Sequence, residues 1–466
     1  MRTIRRLLTC LAVVGSTWVA LAAQQAPRDV SLVITNGIVV TMDEGRRVLE
    51  NGAVAIDGSD IVAVDTADAI RTQFKAADTV DASGQIVLPG LINTHTHAPM
   101  VLYRGLADDL ALSEWLTKFI FPAEAMTVSP EFVRAGTRLA ALEMIQSGTT
   151  TFADMYYFEE DIARETKAAG LRGVLGQTVI QFPVADAKTP ADGLARAEAF
   201  VQAFRGDPLI TPAVAPHAMY TLDGPTLKAA RDLSRKYSVP TLIHLAETRD
   251  EIQTAQERFS SSPVAYLDGL GFLGPGVLAA HGVWVSDADV AVLKARGVGV
   301  SHNPESNMKL ASGTAPVPEY LRADAAIGLG TDGAASNNDL DMFEAMRVAS
   351  LLHKLSTSDP RAVGARAALE MATIRGSRAL GMEKQIGSLE PGKRADVIVV
   401  NASAARHVPM YDPVSHLVYV MRGDDVQTTI VHGNVLMRNR KMLTLDETAV
   451  IAEARDWAGK VRAALK

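Results

Sequence analysis

Cysteine is nearly absent from this chain: of its 466 residues only Cys10 is a cysteine. Cys10 lies in an N-terminal apolar run, too early in that run for the acceptor cysteine of a lipoprotein. The rest of the chain offers no disulfide bond and no thiolate ligand. Any metal that the protein holds must therefore be bound through nitrogen and oxygen atoms.

Long apolar runs are also scarce after the N-terminus. Arg2, Arg5 and Arg6 precede an apolar stretch at 7–23, and "ALAAQQ" supplies the small residues of a cleavage site. The stretch is short for a membrane-spanning helix. We therefore predict a secretory leader over 1–23 and export to the periplasm or the medium, with an uncleaved anchor as the alternative. No stable membrane insertion is expected once the leader is removed.

Basic clusters are missing beyond this leader. The formal net charge is −7 and the isoelectric point is near 5.8, whereas nucleic-acid-binding proteins usually carry a basic footprint. Hydrophobic residues make up 48% of the chain and charged residues 21%, as in an ordinary globular protein with a sizeable core. The composition argues against a nucleic-acid partner.

The two ends of the mature chain have the pattern of short strands. Residues 28–88 contain runs of Val and Ile that are interrupted by Asn-Gly, Asp-Gly and Ser-Gly pairs. The same pattern recurs in 388–445. We predict that these two segments form one small, discontinuous β-sandwich domain. A C-terminal helix is expected over 446–466.

The central part of the chain, 89–387, is predicted to be an α/β domain with the (β/α)₈ fold, a TIM barrel. Continuous apolar strands joined by helices are typical of a parallel sheet that is buried on both faces. A doubly wound open sheet is the alternative, but no Gly-rich phosphate loop follows the first strand. The eight strand-like runs are 88–97, 148–155, 171–179, 210–220, 239–247, 276–285, 297–304 and 325–333.

Most of the ten histidines lie in or directly after these runs, near their carboxyl ends. Reactive side chains of a TIM barrel collect at those ends, and scattered structural histidines would not sort themselves in this way. The sequence therefore predicts a functional site there. Its candidate residues are His95 and His97 on the first strand, His217 on the fourth, His244 and Glu247 on the fifth, His281 on the sixth, His302 on the seventh and Asp332 on the eighth.

His95, His97, His244 and Asp332 form a set of three histidines and one carboxylate. A catalytic zinc site accepts these ligand types and leaves one position for water. Iron(II) and manganese(II) are alternatives, because they accept the same donors. The end of the fourth strand carries no lysine that could bridge a second metal. One divalent metal per chain, with zinc expected, is the simplest interpretation.

The remaining candidates have more than one interpretation. Glu247 lies three residues after His244, where it could serve as general acid or base or simply open the next helix. His281 orients a water or stabilises developing charge, unless it is a core histidine. His217 contacts substrate or is structural, and His302 fixes its loop. No chemistry is assigned to His353, His407, His416 or His432.

The chain resembles the amidohydrolase superfamily, and within it the 5'-methylthioadenosine/S-adenosylhomocysteine deaminases and the related ATZ/TRZ chlorohydrolase-like enzymes. The resemblance spans about 30–440, nearly the whole mature chain. It is carried by the ordered motifs "PGLINTHTHAPM", "LYRGLADDLALSEWL", "VAPHAMYT", "HLAET", "AAHGVWV", "SHNPESNMKLASG", "GLGTDGAASNNDLDMFEAMR" and "LEPGKRADVIVV".

This resemblance implies roles for the site residues. Glu247 matches the acid that protonates a purine ring nitrogen, and His281 with Asp332 matches the pair that serves the hydrolytic water. Glu124 matches the glutamate that holds the ribose hydroxyls, and Ser336 a serine near the purine. His217 matches a histidine that contacts the substrate. The implied metal ligands are His95, His97, His244 and Asp332.

The expected activity is hydrolytic deamination of an aminated purine nucleoside, such as 5'-methylthioadenosine, adenosine or S-adenosylhomocysteine, with release of ammonia. Hydrolysis of another C–N bond, in a cyclic amide or a triazine, is the alternative. A non-catalytic exported binding protein is a third interpretation, although every expected catalytic position is occupied. The resemblance also implies that the barrels pair into homo-oligomers.

One position departs from the family pattern. Relatives that favour S-adenosylhomocysteine are expected to carry an arginine after the third strand, which grips the amino-acid carboxylate. Here the position is Gln177, and Lys188 or Arg196 are the nearby candidates to replace the arginine. Loss of a charge-assisted contact lowers carboxylate affinity. The sequence thus disfavours S-adenosylhomocysteine as the best substrate and predicts that Gln177→Arg would improve it.

Overall fold

The computed structural model of the chain describes residues 26–465. The predicted leader over 1–23 lies outside the described residues. Within 26–465 no helix combines the length and the apolar character that crossing a bilayer requires.

The described chain contains two sheets and a layer of helices. The strands are β1 (Arg28–Val40), β2 (Val48–Asp57), β3 (Asp60–Thr66), β4 (Phe74–Asp81), β5 (Gln85–Pro89), β6 (Leu91–Thr96), β7 (Thr149–Tyr156), β8 (Arg172–Val179), β9 (Ile210–Pro216), β10 (Thr241–Leu245), β11 (Val277–His281), β12 (Gly299–His302), β13 (Ala326–Leu329), β14 (Val397–Asn401), β15 (Val426–Val431), β16 (Asn434–Arg438) and β17 (Lys441–Met442). The α-helices are α1 (Ala67–Gln73), α2 (Leu112–Trp115), α3 (Phe121–Thr127), α4 (Pro130–Ser147), α5 (Glu159–Ala169), α6 (Pro190–Phe204), α7 (Gly224–Tyr237), α8 (Arg249–Phe259), α9 (Pro263–Gly269), α10 (Asp287–Arg296), α11 (Pro304–Lys309), α12 (Val317–Arg322), α13 (Met342–Thr357), α14 (Ala365–Met371), α15 (Ile374–Ala379), α16 (Pro413–Tyr419) and α17 (Glu447–Ala464). A π-helical turn at Leu116–Ile120 joins α2 to α3.

The first sheet is built from both ends of the described chain. Its strand order is β17-β16-β15-β14-β5-β1-β2-β3, with β4 also paired to β1. The two ends meet where β14 runs antiparallel to β5, with Val399 opposite Val87. Both valines are fully buried in a core that also includes side chains of β2, β3 and β15. The predicted β-sandwich from both chain ends is confirmed as part of the fold.

The second sheet is the barrel. Its eight strands follow chain order from β6 to β13, and every pair between neighbours is parallel. The Asp332 N–H donates to the His95 carbonyl at 2.9 Å, which links the last strand to the first. All residues of β7 and β8 are buried, as expected of strands covered on both faces. The predicted TIM barrel is confirmed.

A buried ion pair connects the barrel to the first sheet. Arg172, at the start of β8, donates to both carboxylate oxygens of Asp396, at 2.9 and 3.2 Å, and both side chains are 3% exposed. On the outside, Arg138 of α4 pairs with Glu453 of α17. Bidentate arginine–carboxylate pairs impose geometry as well as attraction. These contacts connect the barrel to the first sheet and to the C-terminal helix α17.

Candidate active site

Three histidines and one aspartate meet at the carboxyl ends of the barrel strands. His95 lies in β6 and His97 directly after it, His244 lies in β10, and Asp332 follows β13. His97 Nε2 is 3.4 Å from His244 Nε2 and 3.4 Å from Asp332 Oδ1. His95 Nε2 is 3.5 Å from the same oxygen. The fold thus brings the four predicted metal ligands together.

Three of the separations among these atoms are those expected around one divalent ion. Four ligands about 2.05 Å from a tetrahedral ion lie about 3.3 Å from one another, close to the 3.4 and 3.5 Å separations found here. His95 Nε2 is buried and has no hydrogen-bond partner among the described residues, which is unusual for a buried polar atom. The donor set therefore fits zinc.

The other ring nitrogens hold the imidazoles in place. His97 Nδ1 lies 2.7 Å from the Met155 carbonyl oxygen, and His244 Nδ1 lies 2.8 Å from the His217 carbonyl oxygen. A carbonyl only accepts, so each Nδ1 carries the proton and each Nε2 lone pair faces the cluster. Metal-binding histidines are usually oriented in this way.

Asp332 is held by its own loop in a strained backbone conformation. Its φ of 66° lies in the left-handed region, which costs a non-glycine residue about 1–3 kcal/mol. Oδ1 accepts from the Gly333 N–H at 2.7 Å, and Oδ2 accepts from Ser306 Oγ at 2.8 Å. These bonds aim Oδ1 at His95 and His97.

Glu247 and His281 lie beside the cluster. Glu247 Oε2 is 3.6 Å from His281 Nε2, which is 3.8 Å from Asp332 Oδ2. Burial raises the pKa of the Glu247 carboxyl, which favours a protonated acid that can donate. Burial opposes protonation of His281, but Glu247 and Asp332 in their ionised forms outweigh it and raise its pKa. His281 Nδ1 lies 2.9 Å from Asn307 Oδ1, so the free Nε2 faces the carboxylates.

Glu124 reaches the same cavity from α3. This inner cavity is lined by the metal-ligand histidines His97 and His244 and by Glu247 and Glu124. Glu124 Oε1 accepts from the Tyr156 hydroxyl at 2.7 Å. Burial raises the Glu124 pKa to about 7. Glu124 thus lines the inner cavity with its Oε2 oxygen not bonded to Tyr156. It comes from a different element of the chain than the metal ligands.

His217 and Ser336 also line the inner cavity. The His217 ring centroid is 4.7 Å from that of His244, and its Nδ1 lies 3.1 Å from Thr221 Oγ1. Burial lowers the His217 pKa to about 3, which keeps the ring neutral. Ser336 Oγ is 3.0 Å from Ser306 Oγ, the hydroxyl that also contacts Asp332.

A second cavity, here the outer chamber, adjoins the inner one. Its volume is about 760 Å³, and it shares Leu116, Tyr220 and Leu310 with the inner cavity. Trp284 forms one wall, and the Arg249 guanidinium stacks on its ring 4.3 Å from the centroid. Among the described residues that line the two cavities, Arg249 alone carries a permanent positive charge.

The remaining strand-end histidine lies apart from the cavity. His302 Nε2 is 3.1 Å from His353 Nε2, and both rings are buried. Neither residue lines the inner cavity. The pair joins the end of β12 to α13, in keeping with the expectation that His302 fixes its loop.

Sequence reasoning missed the residues that orient the site. Tyr156, Asn307, Ser306 and Ser312 hold Glu124, His281, Asp332 and Glu247, respectively. Three of the four supporting residues fall within the motif "SHNPESNMKLASG". The motif therefore indicated that this segment belongs to the site, but it did not show which site residues these side chains contact.

The expectation for Gln177 is wrong, because its side chain does not reach the cavity. Side chains alternate along a strand, and the next residue, Thr178, is the one that lines the inner cavity. Gln177 is fully buried and donates to Asp186 Oδ2 at 2.8 Å. Arg196 pairs with Glu160 and Asp186, so it is engaged elsewhere, and Lys188 does not line either cavity.

Gln177→Arg is therefore expected to lower the melting temperature by several degrees without improving S-adenosylhomocysteine relative to 5'-methylthioadenosine. Overpacking a buried site costs about 1–3 kcal/mol. Thermal unfolding and the ratio of kcat/KM for the two nucleosides measure the two effects. Gln202→Arg, on the exposed surface of α6, is the control for the added charge. A raised ratio in Gln177→Arg would restore the original interpretation.

Comparison with known proteins agrees with this geometry. Residues 86–436 match the Amidohydrolase family. The chain is 46% identical over 431 residues to the 5-methylthioadenosine/S-adenosylhomocysteine deaminase of Syntrophobacter fumaroxidans, covering 92% of this chain and 98% of the relative. It is 46% identical over 429 residues to the 5'-deoxyadenosine deaminase of Methanosarcina acetivorans, covering 92% and 97%.

A solved structure of a related deaminase is also similar to this chain. An adenosine deaminase from Xanthomonas campestris with bound zinc superposes with a TM-score of 0.92 at 39% identity, covering 94% of this chain and 100% of the other. The chain belongs to the amidohydrolase family. It is a metal-dependent hydrolase that acts on C–N bonds other than peptide bonds.

Proposed function

We propose that this enzyme deaminates adenine nucleosides that carry varied 5' substituents, such as 5'-methylthioadenosine, 5'-deoxyadenosine, adenosine or S-adenosylhomocysteine. The observation that carries the proposal is the layout of the inner cavity. A buried acid, Glu247, stands beside the metal-ligand cluster, and a second buried acid, Glu124, lines the same cavity from another element. The names of the relatives, deaminases of such nucleosides, support the same substrate class.

The metal would be held by His95, His97, His244 and Asp332, and when bound it supplies a water of lowered pKa. Glu247 then donates its proton to the ring nitrogen next to the carbon that bears the amino group. Water adds to that carbon and loses a proton to His281, and the C–N bond breaks once the amino group has been protonated and leaves as ammonia. The proton that His281 takes from the water goes to the departing amino group, and the proton of the added hydroxyl returns to Glu247 as the ring carbonyl forms.

His281 and Asp332 are proposed to take the proton of the attacking water. The Nε2 lone pair of His281 faces Asp332 Oδ2 at 3.8 Å, and Asn307 fixes the opposite ring nitrogen. The two neighbouring carboxylates stabilise the imidazolium that forms, as their effect on the His281 pKa indicates. Preorganised charges of this kind lower the barrier without rearrangement during the reaction.

Glu124, His217 and Ser336 are proposed to bind the nucleoside. A carboxylate accepts hydrogen bonds from two neighbouring hydroxyls, which suits Glu124 to the ribose. His217 is neutral and close to His244, so it contacts substrate without competing for protons. Ser336 presents a hydroxyl beside Asp332. Loss of any of these three should impair binding more than proton transfer.

Ammonia release from a small panel tests the proposal. The zinc-loaded mature protein is incubated with adenosine, 5'-methylthioadenosine, S-adenosylhomocysteine, guanine, cytosine and a triazine. We expect the adenosine group to be turned over and the other compounds to be poor substrates. No ammonia from any compound, with zinc bound, would contradict the proposal and favour hydrolysis of an amide or a cyclic amide.

The 5' substituent is proposed to extend into the outer chamber, whose volume of about 760 Å³ suits a tail of this size. Arg249 then attracts the carboxylate of an amino-acid tail. Arg249→Ala should lower kcat/KM for S-adenosylhomocysteine by about 3- to 10-fold, since a hydrogen bond to a charged group at an exposed position is worth a modest amount. The value for 5'-methylthioadenosine should change by less than about 2-fold.

Lys228→Ala is the control for that experiment, because Lys228 is an exposed cation on α7 that lines neither cavity. It should leave both substrates unaffected. Equal losses for both nucleosides in Arg249→Ala would show that Arg249 supports the chamber wall rather than the tail.

Export is the second part of the proposal. It rests on the basic residues and the apolar stretch at 7–23 in the sequence. Mass spectrometry of the protein from separated cell fractions tests it. A periplasmic or secreted chain that begins near Gln24 is expected, whereas an intact chain in the cytoplasmic fraction would refute export.

A further inference from the structure

The chain that carries Glu247 makes a strained turn between β10 and α8. Ala246 adopts a left-handed conformation with φ of 52°, which is uncommon for a residue other than glycine. Its carbonyl oxygen accepts from the N–H groups of Val283 and Trp284, at 3.0 and 2.8 Å. The direction in which Glu247 leaves the strand is therefore set by bonds from a neighbouring loop.

Glu251 completes this turn from the first turn of α8. Its Oε1 accepts from the N–H of Ala246 and its Oε2 from the N–H of Glu247, both at 2.9 Å. The Glu251 side chain is 3% exposed. Both oxygens of one buried carboxyl thus hold the two peptides that carry Glu247, and no other described side chain accepts from those two N–H groups.

The side-chain carboxyl group of Glu247 is held by a second set of hydrogen bonds. Ser312 Oγ donates to Glu247 Oε1 at 3.3 Å, and Trp284 Nε1 donates to the Ser312 carbonyl at 2.6 Å. Glu247 is consequently fixed at its backbone by Glu251 and at its tip by Ser312. Of these two supports, Glu251 makes the shorter bonds.

We propose that Glu251 is a positioning residue, which places the Glu247 carboxyl for proton transfer without touching substrate. This inference rests on the proposed function of Glu247. Proton transfer requires the acid within hydrogen-bond reach of its target, and a shift of about 1 Å can lower a rate by about 100-fold. Loosening the 246–247 peptides would move Glu247 while leaving the metal ligands in place.

The test is a double-mutant cycle. In Glu251→Gln the amide NH₂ faces an N–H donor, so one of the two bonds is lost. We expect kcat to fall by about 10- to 100-fold, with KM within about 2-fold and zinc content unchanged. In a Glu247→Gln background the same change should lower kcat by less than about 2-fold, because residues that act as one unit are not additive.

Asp289→Asn is the matched control. Asp289 likewise lies in the first turn of a barrel helix, α10, and accepts from the N–H of Ser286 at 3.0 Å. It should lower the melting temperature without changing kcat. Glu251→Gln with wild-type kcat, or with a full additive loss in the Glu247→Gln background, would overturn the inference.

If Glu251→Gln does not fold, the cycle is run with Glu251→Asp, which keeps the charge and withdraws both oxygens by one methylene. The same pattern of kcat, KM and non-additivity is expected, and its absence would overturn the inference equally. Failure of the proposed function would appear earlier, as a wild-type protein that releases no ammonia from nucleosides. The cycle would then be measured on the substrate that the wild type does hydrolyse.

Discussion

Glu247→Gln is expected to keep its zinc and to lose about 10²- to 10⁴-fold in kcat, the usual contribution of a positioned general acid. Glutamine has nearly the same shape and can still accept from Ser312 Oγ, which lies 3.3 Å from Glu247 Oε1. It cannot give a proton to a ring nitrogen. The metal should remain, because Glu247 stands outside the set of three histidines and Asp332.

Initial rates of ammonia release and the zinc content per chain measure the two parts of this prediction. Glu257→Gln is the control, since it makes the same substitution at an exposed position of α8, the helix that follows Glu247. The control should match the wild type in both measurements. Glu247→Gln with a rate within a few-fold of the wild type would remove Glu247 from the proton transfer.

Loss of the Asp332 carboxylate should abolish most of the activity and most of the metal. Asp332→Ala removes the single anionic ligand of the set, and its effect on zinc affinity should exceed the 10- to 100-fold typical of outer-shell changes. Asp332→Asn is the cleaner variant, because asparagine tolerates the left-handed backbone that Asp332 adopts. The proton acceptor for the attacking water is lost together with the ligand.

Metal analysis and thermal unfolding with and without a chelator measure this effect independently of activity. A ligand that binds only the folded state raises its stability, so a chelator should lower the melting temperature of the wild type but not that of Asp332→Asn. Asp324→Asn is the control: Asp324 also has a positive φ, of 48°, but pairs with Arg378 at the surface. Unchanged zinc content in the Asp332 variants would refute its assignment as a ligand.

The barrel could be predicted from sequence because its strands are buried on both faces. The run at 171–179 became β8 (Arg172–Val179), and all of its residues are buried, as in a strand covered on both faces. The run at 325–333 became the shorter β13 (Ala326–Leu329). Its last residues leave the sheet to carry Asp332, whose positive φ no local pattern reveals.

For the candidate site, the sequence predicted which residues lie at the carboxyl ends of the strands but not how their side chains are arranged. Chain order places His95 and His244 at one end of a parallel barrel, but it does not say which way a particular side chain faces. Gln177 was misjudged for that reason: a register difference of one residue decides whether Gln177 or Thr178 faces the cavity. The contact of Ser312 with Glu247 joins residues 65 apart, and such contacts depend on the completed fold.

The pairing of β14 with β5 has a consequence for how the protein is made. About 300 residues are synthesised between these two strands, which takes about 15–60 s at about 5–20 residues per second. During that interval β5 has no partner on the side that β14 will occupy, and an open strand edge favours aggregation. Biosynthesis therefore completes the first sheet only when the C-terminal strands emerge. Ending the chain before β15 would leave β14 as a permanent open edge.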